Sequence, residues 1–121
     1  MNIKELTMKN EIRMLKALGD ETRLRIICLL MNSGGLCVCE IKDAINGKQS
    51  AISKALKTLK DADLISDERI AQWKYYSLNK KLNNSGFRVI KALEEDLEKT
   101  NIAKADAQNL KKIPKKDCTR R

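Results

Sequence analysis

A mainly α-helical domain carrying one small β-hairpin is the fold class this sequence predicts, and three observations predict it. One Pro and five Gly in 121 residues leave long helices uninterrupted. Apolar residues recur at helical spacing over most of the chain. Only between residues 64 and 78 does the pattern change to short β-rich runs. The length suits one core and one domain.

Ile12, Leu15 and Leu18 precede Gly19, so residues 6 to 18 read as an amphipathic helix that stops there. Asp20 is placed to cap the next helix, whose run from Thr22 to Met31 is dense enough in Ile and Leu to be a core element. Asn32-Ser33-Gly34-Gly35 ends it. Residues 37 to 45 form a short helix closed by the Asn46-Gly47 turn signal. In residues 49 to 62, Ile52, Ala55, Leu56 and Leu59 share one face and polar residues the other. Short helix, tight turn and polar-faced helix together make a helix-turn-helix.

Leu64 to Ile70 and Lys74 to Leu78, joined by Ala71-Gln72-Trp73, read as the hairpin. Residues 84 to 99 return to helical spacing through Phe87, Ile90, Leu93 and Leu97. Residues 1 to 100 are thus the expected domain, and residues 101 to 121 a flexible basic tail with little to bury. A helix-turn-helix followed by a hairpin is the winged-helix arrangement. The first helix and the 84–99 helix have apolar surface left over, either to complete the monomer's core or to pair across a two-fold axis; the pairing predicts a homodimer.

The charge balance points to a polyanionic partner. Lys plus Arg number 25 against 16 Asp plus Glu, a formal net charge of +9. Double-stranded DNA fits the fold. Gln49, Ser50 and Ser53 near the start of the second helix can hydrogen-bond base edges or phosphates, while Lys54, Lys57 and Lys60 can neutralise phosphates. Arg69, Gln72 and Lys74 offer wing contacts; for all nine the plain alternative is a solvated surface. An enzyme is disfavoured, because the chain has no His, no Gly-rich phosphate loop and no nucleophile–base set. No apolar run approaches the roughly 18 residues a membrane span needs, and no secretory h-region stands near the start. The expected location is the cytoplasm, with thiols reduced and no membrane partner.

Three segments carry a resemblance: Leu18-Gly19-Asp20-Glu21-Thr22-Arg23-Leu24-Arg25-Ile26, Leu36-Cys37-Val38-Cys39-Glu40-Ile41 and Gln49-Ser50-Ala51-Ile52-Ser53-Lys54-Ala55-Leu56. Together with Leu64-Ile65 and Tyr75-Tyr76-Ser77-Leu78, they resemble the ArsR/SmtB family of metal-responsive repressors over residues 10 to 80. The resemblance implies a dimeric repressor that needs no cofactor to bind its operator and leaves when an inducer binds. One departure lies in the wing, where Ala71-Gln72 replaces the usual Gly and basic residue.

Within that resemblance Cys37 and Cys39 match the ligand segment of arsenite-responsive and cadmium- or lead-responsive members. Thiolates are soft ligands suited to thiophilic ions, and a helix N-terminus favours negative groups. Arsenite or antimonite leads, with cadmium, lead and thiol oxidation as alternatives, and an effector-independent regulator as a further one. Trivalent arsenic takes three sulfurs; Lys42 stands where some relatives carry the third cysteine, which leaves Cys118 in the tail as candidate ligand or surface thiol. No Cys precedes Cys28, which disfavours the N-terminal ligands of cadmium or lead relatives, and the absence of His disfavours a zinc- or nickel-type site. Cys28, inside Ile26-Ile27-Cys28-Leu29-Leu30, reads as a core residue.

Overall fold

The protein's structure is a computed structural model, and it describes residues 7–81 and 84–114. The described elements are α1 (Lys9–Leu18), α2 (Glu21–Met31), α3 (Val38–Ile45), α4 (Gln49–Asp61), β1 (Ile65–Ile70), β2 (Trp73–Leu78), α5 (Ser85–Glu98) and α6 (Asn101–Lys112). Fold class and element order agree with the sequence reading through α5.

Local chemistry explains the boundaries. Asp20 Oδ2 accepts from the Arg23 amide at 3.0 Å and starts α2. Asn46, at φ 63°, takes the left-handed position that ends α3. Gly47 lets Ile52 pack closely: a Cβ there would lie 3.2 Å from Ile52 Cδ1 and would push that methyl aside by a few tenths of an ångström. The core gathers Ile26, Ile27 and Leu30 of α2, Ile41 of α3 and Ile52, Leu56 and Leu59 of α4 beneath Leu64 and Ile90. Burying each such side chain contributes about 1.5–3 kcal/mol, so α4 is fixed to the body while its other face stays in solvent.

β1 and β2 pair antiparallel from Ile65–Leu78 to Ile70–Trp73, so the connection is the two residues Ala71-Gln72 and Trp73 belongs to the strand. Ala71 takes φ 57°, a conformation that suits Gly at the first central position of a hairpin turn. Relief of the Cβ clash, roughly 1–2 kcal/mol, exceeds the added chain entropy of Gly, roughly 0.5–1 kcal/mol. Ala71→Gly is therefore expected to stabilise the protein by up to about 1 kcal/mol, read from the midpoint of urea unfolding.

The C-terminal segment corrects the sequence reading. Residues from 101 on were expected to be flexible, yet Asn101–Lys112 forms α6, which packs on α2 and α3. Thr100 Oγ1 accepts from the Ala103 amide to start it. Asp106 is 2% exposed and receives two 2.8 Å hydrogen bonds from the Arg25 guanidinium. A helix docked through a carboxylate leaves little trace in an apolar periodicity. No helix among the described residues is long and apolar enough to cross a membrane.

Candidate nucleic-acid interface and thiol site

The nine residues expected to meet DNA divide into a helix face and a wing. Gln49, Ser50, Ser53, Lys54, Lys57 and Lys60 are all exposed along α4, opposite buried Ile52, Ala55, Leu56 and Leu59. Arg69, Gln72 and Lys74 are exposed on the hairpin, where Arg69 Nη1 donates to the Gln72 carbonyl at 3.3 Å. Lys60 and Lys74 come together around one carboxylate that sequence reasoning missed: Asp67 Oδ2 lies 2.8 Å from Lys60 Nζ and 3.6 Å from Lys74 Nζ. The hydrogen bond from Lys60 holds the Asp67 carboxyl below its ordinary value. Nothing in the strand marked it out, since Asp67 stands beside a second acid, Glu68, with Arg69 the one basic residue of β1.

Asp67 thus joins helix to wing, and it places a negative charge between two of the lysines expected to meet phosphates. Asp67→Asn is expected to raise affinity for random-sequence DNA several-fold at low salt, since one opposing charge per chain is lost. The exposed bridges it breaks contribute only about 0–1 kcal/mol, so unfolding should shift little. Unchanged affinity for random DNA would show that the carboxylate does not face the phosphates.

The thiols occupy the start of α3. Cys37 is the residue before the helix and is buried; Cys39, within its first turn, is partly exposed. Their sulfurs stand 2.9 Å apart. Glu40, also buried, accepts the Cys37 amide at 3.0 Å, which fixes the backbone that presents both thiols. The spacing Cys37-x-x-Glu40 was the available signal, with Cys in the place of the usual Ser or Thr. Just before the pair, Leu36 and Tyr76 of β2 exchange two backbone hydrogen bonds of 3.0 and 2.8 Å. The cysteine segment is therefore bonded directly to the wing.

Cys28 lies apart in α2, and burial pushes its thiol up to about 11, so it is neutral near pH 7 and behaves as a core residue. Cys118 lies outside the described residues. Among the described residues no group of three or more His, Cys, Asp or Glu could hold a metal ion. Leu110 and Ile113, at the end of α6, line the same cleft as Leu36 and Glu40.

Comparison with known proteins follows the same outline. Residues 20–67 match the family described as bacterial regulatory protein, arsR family. The chain is 45% identical over 67 residues to the arsenic resistance transcriptional regulator ArsR2 of Pseudomonas putida, covering 55% of this chain and 58% of that relative. It is 43% identical over 75 residues to the arsenical resistance operon repressor of Bacillus subtilis, covering 62% of this chain and 70% of the repressor. It thus spans little more than half the length of the Pseudomonas putida relative. Among solved structures, the transcriptional regulator HlyU from Vibrio vulnificus superposes with a TM-score of 0.62 at 33% identity, over 78% of this chain and 97% of that one.

Proposed function

The chain belongs to the arsR family of bacterial regulatory proteins, and from that premise we propose that it is a homodimeric repressor released from its operator by arsenite or antimonite. Members of this family are transcriptional regulators, not enzymes. The observation that carries the proposal is the convergent pair Cys37 and Cys39, 2.9 Å apart at the helix that leads into α4.

DNA is read by Gln49, Ser50 and Ser53 and held at its phosphates by Lys54, Lys57 and Lys60, with Arg69, Gln72 and Lys74 on the flanking backbone. No cofactor takes part in that binding. Two copies meet through α1 and α5: Met8, Ile12 and Leu15 are 73, 48 and 56% exposed at helical spacing, and Leu93 of α5 is 39% exposed. Large apolar side chains left in solvent at regular spacing favour a partner surface.

A pyramidal three-sulfur site needs one ligand beyond the pair, and Cys118 supplies it. Three residues separate Pro114 from Cys118, and the four steps along the chain reach up to about 14 Å when extended. The starting point favours this, because Leu110 and Ile113 already border the cleft that Leu36 and Glu40 line. The third ligand can equally come from the partner copy's tail.

The test is a fluorescence-anisotropy titration of reduced protein on its own upstream promoter DNA, with arsenite, antimonite, cadmium, lead or peroxide added in turn. Release by arsenite or antimonite alone is expected. Release by cadmium or lead alone would reassign the inducer, release by peroxide would make the pair a redox sensor, and tight binding undisturbed by all five would overturn the inducer reading.

A further inference from the structure

The last turn of α3 is held from outside its own helix. A helix leaves its final carbonyls without intrahelical donors, and here two of them are met by side chains. Asn109 Nδ2 of α6 donates to the Ala44 carbonyl at 3.0 Å, and Arg25 Nη2 donates to the Ile45 carbonyl at 3.0 Å. Arg25 is in turn gripped by both Asp106 oxygens at 2.8 Å. These carbonyls stand immediately before Asn46, Gly47 and Lys48, the whole connection to α4.

The way α6 is attached matters as much as where. The cluster of fully packed core side chains includes none from α6, and Leu110 and Ile113 only lean against its edge. The buried side chains of α6 are Ala103 and Asp106, one small and one charged. With so little apolar area to bury, the helix depends on its polar bonds to stay docked. Helices α2 to α4 keep their shared core whether or not α6 is in place.

We infer that α6 is a clasp on the helix-turn-helix: Asp106 and Asn109 act as positioning residues that fix the end of α3, and through it the angle at which α4 is presented. The inference rests on the reading of α4 as the DNA-contacting helix. Undocking α6 frees the Ala44 carbonyl and loosens Arg25 from the Ile45 carbonyl, so the turn relaxes while the core persists.

The experiment compares full-length protein with Asp106→Asn, Asn109→Ala and Asp106→Glu variants by two readouts. Promoter affinity is expected to fall about tenfold for Asp106→Asn, a size usual for coupling between elements, less for Asn109→Ala, and to recover at least partly for Asp106→Glu. Hydrogen exchange without DNA should show faster exchange at residues 45–49 in the first two variants, with the amides of Ile27, Leu30 and Leu59 protected as before. Wild-type affinity in both Asp106→Asn and Asn109→Ala, or uniform loss of protection across the core amides, overturns the inference. A wild-type protein that binds no promoter DNA overturns the function proposed above, and hydrogen exchange then decides the clasp independently.

Discussion

Replacing both Cys37 and Cys39 by Ser is expected to abolish release by arsenite while leaving promoter affinity within about twofold. The fold should tolerate the change because Cys37 already occupies the cap of α3, with Glu40 bonded back to its amide. Ser is among the preferred residues at that position and can take over the part Cys37 already plays in the capping box with Glu40, so α3 should hold or gain up to about 1 kcal/mol. The inducer response has no such reserve. Moving an operator-competent population from 99:1 to 1:99 takes a differential affinity of about 5.5 kcal/mol, and two hydroxyls offer a thiophilic ion nothing comparable to two thiolates. The check is the same anisotropy titration on the double variant. Weakened binding before any inducer is added, or release that survives the substitutions, would remove the pair from the inducer site.

The second large effect is expected from Lys54→Ala combined with Lys57→Ala. Both side chains are exposed on α4, and Lys57 has only a loose 3.4 Å partner in Asp61 of the same helix, so neither is committed to the fold. Ala is the best helix former and should preserve α4. Each lysine on a phosphate accounts for about one unit of the slope of log affinity against log salt. In a dimer each substitution occurs twice, so the slope should flatten by about four units and affinity at physiological salt should fall by roughly tenfold or more. Binding measured between 50 and 200 mM salt reports both quantities. A flattening near two would mean that only one copy engages; no flattening would mean that the lysines face solvent, not phosphate.

The helix-turn-helix was legible from its amphipathic period, and the hairpin from the point where that period stops. Ile52, Ala55, Leu56 and Leu59 mark one face of α4, and the chain leaves that period at Leu64. The location of the thiol pair was legible too, since two cysteines one residue apart stand out in any reading. Its geometry was not: the 2.9 Å approach depends on α3 starting at Val38, which Glu40 secures from inside the structure. Helix α6 was missed because its buried stripe centres on Asp106, whose partner Arg25 lies 81 positions away. A charged residue becomes a core residue only when a distant one meets it, and spacing along the chain carries no record of that meeting. Asp67 was passed over for a related reason: its Lys60 and Lys74 partners belong to a different helix and the opposite strand.

The reciprocal bonds between Leu36 and Tyr76 have a mechanical meaning. Any ligand that displaces Cys37 also moves its neighbour Leu36, and the chain then has two courses. The hairpin travels with the thiols as one lever, or the two bonds part and the strand springs loose. A lever transmits displacement over distance and keeps both amide protons sheltered; a broken latch dissipates it locally and surrenders them to solvent. The amide resonances of Leu36 and Tyr76, followed as inducer is added, distinguish a protein that swings its wing away from DNA from one that lets it go slack.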